Sequence, residues 1–193
     1  MQERFDPVAA MANHRHDFGE YGGVNLSIEA STTFTVLEAH TLPDLFHGYL
    51  GAQEGCFLYG RHIHPTVLAL GRELAAMEGT EAGYATASGM GAISATLMQL
   101  LKPGDRLVMS RAVYGGTYAF ASRVLAGRFG IDVRFVDIAN LQEVREACRE
   151  STRALYVETL SNPTLVLADI PRLAEIAHGC GARLVVDNTF APL

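Results

Sequence analysis

A carboxylate directly after an apolar run is the clearest sign of chemistry in this sequence. Asp187 follows Leu184–Val186, which predict a buried strand, so the carboxylate stands at the strand's carboxyl end. Desolvating it there is costly unless it meets a cation or a strong donor, and a protonated ring nitrogen would serve. The alternative is that Asp187 caps its own loop through Asn188 and Thr189.

A glycine-containing run supplies a candidate phosphate site. Ser88-Gly89-Met90-Gly91 lies between a predicted strand and a predicted helix. Glycines there let backbone N–H groups approach an anion, and the helix N-terminus adds positive charge, so a phosphate is the natural ligand. A plain tight turn explains the spacing equally well. As a dinucleotide pattern the run fails at Ser94, where a glycine would be needed, which disfavours a nucleotide-binding module.

Two further polar residues follow predicted strands. Tyr114 stands at a helix entrance and would stack on a planar ligand, although a packing role is the commoner one for a single tyrosine. Asn162 precedes Pro163 and would donate to a ligand oxygen. From the residues alone an Asx turn is the preferred interpretation of Asn162.

Upstream, Tyr59 and Arg61 form a second candidate phosphate-binding pair, through a hydroxyl and a guanidinium. The neighbouring His62, His64 and Cys56 match no standard zinc spacing, so no metal site is expected.

These candidates require elements that bring strand ends together. From about Pro65 strands and helices alternate, which predicts an α/β fold with a mostly parallel sheet and helices on both faces. Ligands in this architecture bind outside the carboxyl ends of the strands. The predicted helices are Thr66–Glu78, Gly91–Leu101, Gly116–Arg128, Asn140–Arg149 and one begun by Asp169; the predicted strands are Tyr84–Ala87, Arg106–Ser110, Ile131–Asp137, Arg153–Thr159 and Arg183–Asp187.

Residues 1–62 show no such alternation and are not expected to fold alone. They are predicted to be an irregular N-terminal arm that packs on a larger body or on another subunit. Residues 63–193 would then form the large α/β domain.

Composition narrows the class of protein. The chain has 193 residues, of which 49% are hydrophobic and 19% charged, enough for the core of one α/β domain. A net charge of −6 disfavours nucleic acid and anionic membranes as partners. No run reaches the roughly 18 apolar residues of a membrane span, and no signal peptide is visible. The three cysteines lack C-x-x-C spacing, which favours thiols in a reducing cytoplasm.

Taken together and in order, the motifs resemble the Cys/Met-metabolism family of pyridoxal-phosphate-dependent enzymes, which have the fold-type I transferase-like architecture. The family includes cystathionine γ-synthase, cystathionine γ-lyase, O-acylhomoserine sulfhydrylases and methionine γ-lyase. The motifs that carry the resemblance are Tyr59-x-Arg61-x-x-His64-Pro65-Thr66, Leu74–Gly79, Ser88-Gly89-Met90, Tyr114-Gly115-Gly116-Thr117, Glu158 with Asn162-Pro163, and Asp187-Asn188-Thr189-Phe190.

The resemblance implies pyridoxal 5′-phosphate as cofactor and a role for each matching residue. The run Ser88-Gly89-Met90 would hold the phosphate, with the backbone N–H groups of Gly89 and Met90 as donors. Tyr114 would stack on the pyridine ring, and Asp187 would pair with the ring nitrogen. These two residues are the ones expected to take part in catalysis. Asn162 would lie near the ring hydroxyl.

The resemblance also implies an assembly. Tyr59 and Arg61 would reach the phosphate bound by a neighbouring subunit, so a homodimer would be the smallest complete unit, and tetramers are usual in the family.

One residue of the family's chemistry is missing from this sequence. The resemblance places the Schiff-base lysine some tens of residues after Asp187, beyond Leu193. Lys102 is the only lysine present, in a helix-to-strand turn at the opposite end of the predicted sheet. We therefore expect this chain to be an N-terminal portion with a truncated large domain, and to be inactive alone.

The implied reaction is γ-elimination from a sulfur amino acid, which yields a 2-oxo acid, ammonia and a thiol. The stretches 18–36 and 168–192 look most like methionine γ-lyase-like members. Gly116, however, stands where bacterial methionine γ-lyases tend to carry a cysteine. Two alternatives stay open. A γ-replacement enzyme would join a thiol to an activated homoserine with the same residues, and a truncated chain would bind a partner subunit without catalysis.

Overall fold

Four parallel strands alternate with helices in a computed structural model of the chain, which describes residues 6, 27–36, 38–52, 56–149 and 151–191. The strands lie in the order β2-β1-β3-β4. They are β1 (Arg106–Ser110), β2 (Asp132–Val136), β3 (Thr152–Glu158) and β4 (Arg183–Asp187). The helices are α1 (Leu42–His47), α2 (Pro65–Glu78), α3 (Gly89–Leu100), α4 (Gly115–Ala119), α5 (Gly127–Phe129), α6 (Leu141–Ala147) and α7 (Ile170–Gly179).

The chain divides into two units between Ala85 and Thr86. In the first unit, an isolated bridge joins Thr33 to Tyr59, and α2 is its longest helix. Proline at the first position of α2 fits a helix start, and Gly79 ends the helix with a left-handed φ of 63°. The apolar side chains of Val67, Leu70 and Leu74 share an exposed face of α2.

The second unit contains the sheet, which is covered on both faces as predicted. One core cluster joins the sheet to α6 and α7 and contains Val108, Val144, Leu155, Val157 and Leu173. The other joins it to α3 and the α4–α5 region and contains Leu97, Leu107, Met109, Leu125 and Tyr156. Because side chains alternate along a strand, β3 contributes to both cores. Leu155 and Val157 face one cluster, whereas Tyr156 faces the other.

Side-chain caps begin three helices of the second unit. Ser88 accepts a hydrogen bond from the N–H of Gly91 at the start of α3. Asn140 and Asp169 do the same for α6 and α7, which confirms both predicted helix starts. None of the helices in the described ranges is long and apolar enough to cross a membrane.

Two predicted elements differ from the structure. The strand expected at Tyr84–Ala87 is absent, because no described strand pairs with this segment and a strand exists only within a hydrogen-bonded ladder. The helix expected over Gly116–Arg128 is present, but Phe120–Ala126 form a π-helical segment between α4 and α5. Hydrophobic periodicity does not distinguish such a widening from a regular helix.

Candidate functional site

A cavity of about 230 Å³ opens at the carboxyl ends of β3 and β4. Five of the predicted site residues line it: Gly89, Met90, Tyr114, Asn162 and Asp187. Its lining consists of Gly89, Met90, Ile93, Tyr114, Glu158, Leu160, Asn162, Asp187, Thr189 and Phe190. The parallel register explains why these residues meet, since Glu158 pairs with Asp187 at the shared end of the two strands.

Asp187 lies at the base of this cavity with both carboxylate oxygens engaged. The hydroxyl of Tyr156 donates to Oδ2 at 2.9 Å. The N–H of Thr189 donates to Oδ1 at 3.1 Å, and the Thr189 hydroxyl donates to the same oxygen. Asp187 therefore does cap its own loop, as the alternative interpretation expected, but only through one of its two oxygens.

The count of acceptors leaves one position open on Asp187. A carboxylate offers about four lone-pair sites. Three donors from the described residues use three of them, two on Oδ1 and one on Oδ2. One lone pair of Oδ2 is thus left for a donor brought by a ligand.

Tyr156 is the buried partner of this carboxylate. Its side chain is 1% exposed. Burial raises the pKa of the Tyr156 hydroxyl well above its usual range, and the negative charge of Asp187 adds to the rise. The hydroxyl therefore stays protonated near neutral pH and acts as the donor.

Glu158 joins two loops of the cavity wall. Its carboxylate is buried and accepts the N–H of Tyr114 at 2.6 Å through Oε1. Through Oε2 it accepts the N–H of Asn162 at 3.1 Å. One side chain therefore fixes the backbone of two predicted site residues, and charge-assisted bonds of this kind are among the stronger ones.

The start of α3 forms another wall of the cavity. Gly89 and Met90 are the first two residues of the helix, and Ser88 is its cap. The cap satisfies the N–H of Gly91, whereas the N–H groups of Gly89 and Met90 make no hydrogen bond with a described residue. A Cβ at Gly89 would meet no atom within 4 Å, so the space beside the backbone of this residue is open.

The ring of Tyr114 lines the cavity and is half exposed. A Cβ placed on Gly116 would lie 2.5 Å from Cε1 of Tyr114. No side chain other than that of glycine is compatible with this position of the ring.

Asn162 corrects one preference taken from the sequence. The Asx turn expected at this residue is not formed, since its side-chain amide makes no hydrogen bond with a described residue. Ser161 organises the turn instead: its hydroxyl accepts the N–H of Val166 at 2.9 Å and contacts the Thr164 hydroxyl. Asn162 lines the cavity, with its amide unpaired among the described residues.

Three basic or phenolic residues that the sequence raises as candidates are not among the residues that line the cavity. Lys102 precedes β1, at the amino end of the sheet, where its N–H donates to Asp105. Tyr59 and Arg61 belong to the first unit, and there the guanidinium carbon of Arg61 lies 5.1 Å from the centre of the Tyr59 ring. No arginine or lysine is among the described residues that line the cavity.

Sequence reasoning overlooked the supporting residues. The sequence patterns place Tyr156 only in a strand and Glu158 only in a motif. One signal was available, because a tyrosine inside an otherwise aliphatic buried strand needs a partner for its hydroxyl. Pairing that tyrosine with the next strand's Asp187 would have required the register of the sheet.

The cavity has the features of a site for a flat, phosphorylated ring that carries a donor. Open N–H groups, a phenol ring, a free amide and one vacant carboxylate acceptor surround a single space. Comparison with known proteins agrees with this class of ligand. Residues 6–192 match the family described as Cys/Met metabolism PLP-dependent enzyme, and the chain belongs to that family.

Individual relatives differ in their reactions. Methionine gamma-lyase from Arabidopsis thaliana is 51% identical over 189 residues, which cover 97% of this chain and 43% of that protein. O-succinylhomoserine sulfhydrylase from Pseudomonas aeruginosa is 39% identical over 187 residues, which cover 96% of this chain and 44% of that protein. The chain thus spans less than half the length of these curated relatives.

A solved structure shares the fold. It is assigned as an O-acetylhomoserine (thiol)-lyase from Campylobacter jejuni and contains a pyridoxyl-lysine monophosphate residue. The TM-score is 0.86 at 30% sequence identity, and the match covers 98% of this chain and 45% of that one. The fold-type I architecture expected from the motifs is confirmed.

The residues present fit pyridoxal phosphate, the cofactor of the family. Its phosphate matches the open N–H groups at the start of α3. Its ring nitrogen, when protonated, matches the vacant acceptor on Asp187. The charge of the phosphate would have no basic partner among the described residues that line the cavity.

Proposed function

We propose that this chain forms the cofactor-binding part of a pyridoxal-phosphate-dependent C–S lyase of the methionine or cystathionine γ-lyase type. The reaction is γ-elimination, which gives a 2-oxo acid, ammonia and a thiol. The observation that carries the proposal is the vacant acceptor of Asp187 in a cavity that also contains the open start of α3. The 51% identity to a methionine gamma-lyase supports elimination as the reaction type.

The chain's own residues would bind and orient the cofactor. When bound, pyridoxal phosphate supplies an electron sink for negative charge that develops at the α-carbon of an amino acid. Asp187 would keep a proton on the ring nitrogen, and Tyr114 would cover one face of the ring. Gly89 and Met90 would donate to the phosphate, with Ser88 fixing their helix start, and the Asn162 amide would lie near the ring hydroxyl.

The N-terminal arm would complete the site of a second subunit. We place Tyr59 and Arg61 at the partner's phosphate, where they would supply the positive charge that the described cavity lacks. The exposed apolar side chains of Val67, Leu70 and Leu74 support burial of this unit in a homodimer or homotetramer. The reducing cytoplasm is the proposed location of the assembly.

A γ-replacement reaction is the second candidate. The 39% identity to an O-succinylhomoserine sulfhydrylase favours replacement, because the alignment with that relative covers 96% of this chain. The same cofactor residues would serve an activated homoserine and a thiol. A chain that binds the cofactor or a partner subunit without turnover is the third, since Lys102 lies at the opposite end of the sheet from the site.

Cofactor titration of the purified chain tests the first step. Pyridoxal phosphate should bind and quench tyrosine fluorescence, and Asp187→Asn should weaken binding about 100-fold through loss of a charged partner. Lys102→Ala should leave the absorbance spectrum of the bound cofactor unchanged. An absorbance band of lysine-linked cofactor that disappears with Lys102→Ala would contradict our placement of that lysine away from the site.

Product analysis then separates the reactions. The protein expressed from its gene is incubated separately with methionine, with cystathionine, and with O-succinylhomoserine plus sulfide. A 2-oxo acid and a thiol from methionine or cystathionine support elimination, whereas homocysteine from the homoserine ester supports replacement. Cofactor binding without any product supports the non-catalytic alternative.

A further inference from the structure

We propose that Tyr156 is a positioning residue that holds Asp187 with its vacant acceptor directed at the cofactor's ring nitrogen. The inference rests on the proposed function and deepens it. Tyr156 does not line the cavity, so it would act only through Asp187.

The geometry of two neighbouring strands carries the proposal. Tyr156 lies two positions before the end of β3, opposite Val185 of β4. Its side chain projects on the same sheet face as Asp187, because residues two apart on a strand share a face. From that position the phenol reaches past Val185, and its hydroxyl lies 2.9 Å from Oδ2 of Asp187.

The two oxygens of Asp187 are held by residues that differ in burial. Oδ1 is held by Thr189, which belongs to the exposed loop after β4. Oδ2 is held by a phenol that is 1% exposed and packed in the core between the sheet and α3. Of the two supports, the Tyr156 hydroxyl is therefore the one anchored in the core.

Burial also keeps this donor in the protonated form. The pKa of the Tyr156 hydroxyl is raised, first by burial and then by the charge of Asp187. The hydroxyl of Thr117 interacts with the phenol oxygen and opposes the rise. Thr117 is itself fully buried and lies 3.8 Å from the sulfur of Met90. A continuous set of contacts thus runs from the start of α3 to the aspartate.

A neutral donor has a specific advantage at this place. An arginine in contact with Asp187 would neutralise the carboxylate and compete with a cationic ring. A phenol fixes one lone pair of Oδ2 without adding positive charge, so the negative charge stays available for a pyridinium nitrogen. Tyr156 would therefore orient Asp187 and leave its charge intact.

The experiment compares two probes that differ by one ring atom. 4′-Deoxypyridoxine 5′-phosphate has the pyridine nitrogen but no aldehyde, so it forms no covalent bond with Lys102. Its carbocyclic counterpart has a CH group in place of the ring nitrogen. Dissociation constants for both are measured by fluorescence titration with the unsubstituted chain, Tyr156→Phe, Asp187→Asn and the double variant.

We expect Tyr156→Phe to weaken the pyridine probe about tenfold, since a hydrogen bond to a charged group is disturbed. Affinity for the carbocyclic probe should be unchanged. In the Asp187→Asn background Tyr156→Phe should have no further effect. Tyr118→Phe is the matched control, because Tyr118 packs on Phe135 and its hydroxyl has no hydrogen bond with a described residue.

Four results would overturn the proposal. Unchanged affinity for the pyridine probe in Tyr156→Phe would show that the hydroxyl has no effect on the ring nitrogen. Equal weakening of both probes would make Tyr156 a packing residue and would also be the result of a folding defect. An undiminished effect of Tyr156→Phe in the Asp187→Asn background would exclude action through the aspartate. If the unsubstituted chain binds neither probe, the proposed function itself fails and this inference with it.

Discussion

Carboxylates at the amino end of the sheet are held by arginines. The guanidinium of Arg153 lies 3.3 Å from Asp105, before β1. Asp132, the first residue of β2, contacts Arg106 and Arg134, each at 2.7 Å. These ion pairs give two carboxylates three guanidinium partners and join neighbouring strands, so the negative charge of both carboxylates is compensated.

Carboxylates at the carboxyl end of the sheet have neutral partners instead. Glu158 accepts two backbone N–H groups, and Asp187 accepts two hydroxyls and one N–H. Within the described ranges neither of them contacts an arginine, lysine or histidine. Carboxylates are thus paired with cations at one end of the sheet, whereas at the other end their negative charge is not compensated by a described side chain. The two ends of the sheet therefore differ in whether the partner of the carboxylate is charged or neutral, and not in whether the carboxylate is buried.

The largest expected effect is at Glu158. In Glu158→Gln the remaining side-chain oxygen still accepts one backbone N–H. The new NH₂ group is a donor, so it cannot accept the second backbone N–H. We expect the free energy of unfolding to fall by about 2 kcal/mol, because a buried donor is left without a partner. Denaturant unfolding measures the loss.

Glu146→Gln is the control for this change. Glu146 lies on α6 and accepts a hydrogen bond from Gln142 at an exposed site, so its replacement should leave stability nearly unchanged. Equal losses of unfolding free energy in the two variants would contradict the proposed contribution of the two Glu158 hydrogen bonds to stability.

Asp105 tests the arginine-paired end of the sheet. The backbone N–H of Lys102, helped by the Arg153 guanidinium, holds the pKa of Asp105 below its usual value although burial opposes the shift. A carboxyl with a lowered folded-state pKa adds stability above its unfolded value, near pH 4, and that stability is lost as the pH falls through the folded pKa. Asp105→Asn should therefore cost about 1 kcal/mol at pH 7.

The pH dependence of this cost distinguishes charge from shape. The difference in unfolding free energy between Asp105→Asn and the unsubstituted chain should be full at neutral pH and should shrink as the pH falls below about 4. A difference that stays constant from pH 7 to pH 3 would mean that packing, and not ionisation, causes it.

The smallest effect on stability is expected at Gly116. A methyl group there would force the Tyr114 ring to move, since the contact would be 2.5 Å. The ring is half exposed and has room to turn, so Gly116→Ala should change the free energy of unfolding by less than about 0.5 kcal/mol. Affinity for pyridoxal phosphate should nevertheless fall, because the ring would leave its place at the cavity wall.

Gly115→Ala is the matched control in the same helix turn. A Cβ at Gly115 meets no atom within 4 Å, so cofactor affinity should be unaffected. If both alanine variants bind the cofactor as the unsubstituted chain does, the position of the Tyr114 ring does not matter for binding.

Local sequence signals predicted most of the second unit. Runs such as Arg106–Ser110 and Arg183–Asp187 are strands with the predicted bounds, because buried parallel strands are nearly continuous in apolar residues. Asn140 and Asp169 mark helix starts because a capping side chain acts on a backbone group three residues away. Both signals are confined to a few neighbouring residues.

The missed features depend on residues far apart in the chain. Tyr156 and Asp187 are 31 positions apart, and Tyr114 and Glu158 are 44 apart. Their contacts follow from strand order and register, which single-sequence patterns do not contain. The wrong strand at Tyr84–Ala87 has the same origin, since pairing depends on a neighbour and not on the segment itself.

The alternation of β3 has a consequence for folding fidelity. Slipping a strand by one residue exchanges the side chains on its two faces. In β3 such a slip would move the Tyr156 hydroxyl and the Glu158 carboxylate into the aliphatic core beneath α6 and α7. Burial of those polar groups without partners is strongly unfavourable. The residues that support the cavity would therefore also help to fix the register of β3, because a sheet with this strand shifted by one residue would be less stable than the native one.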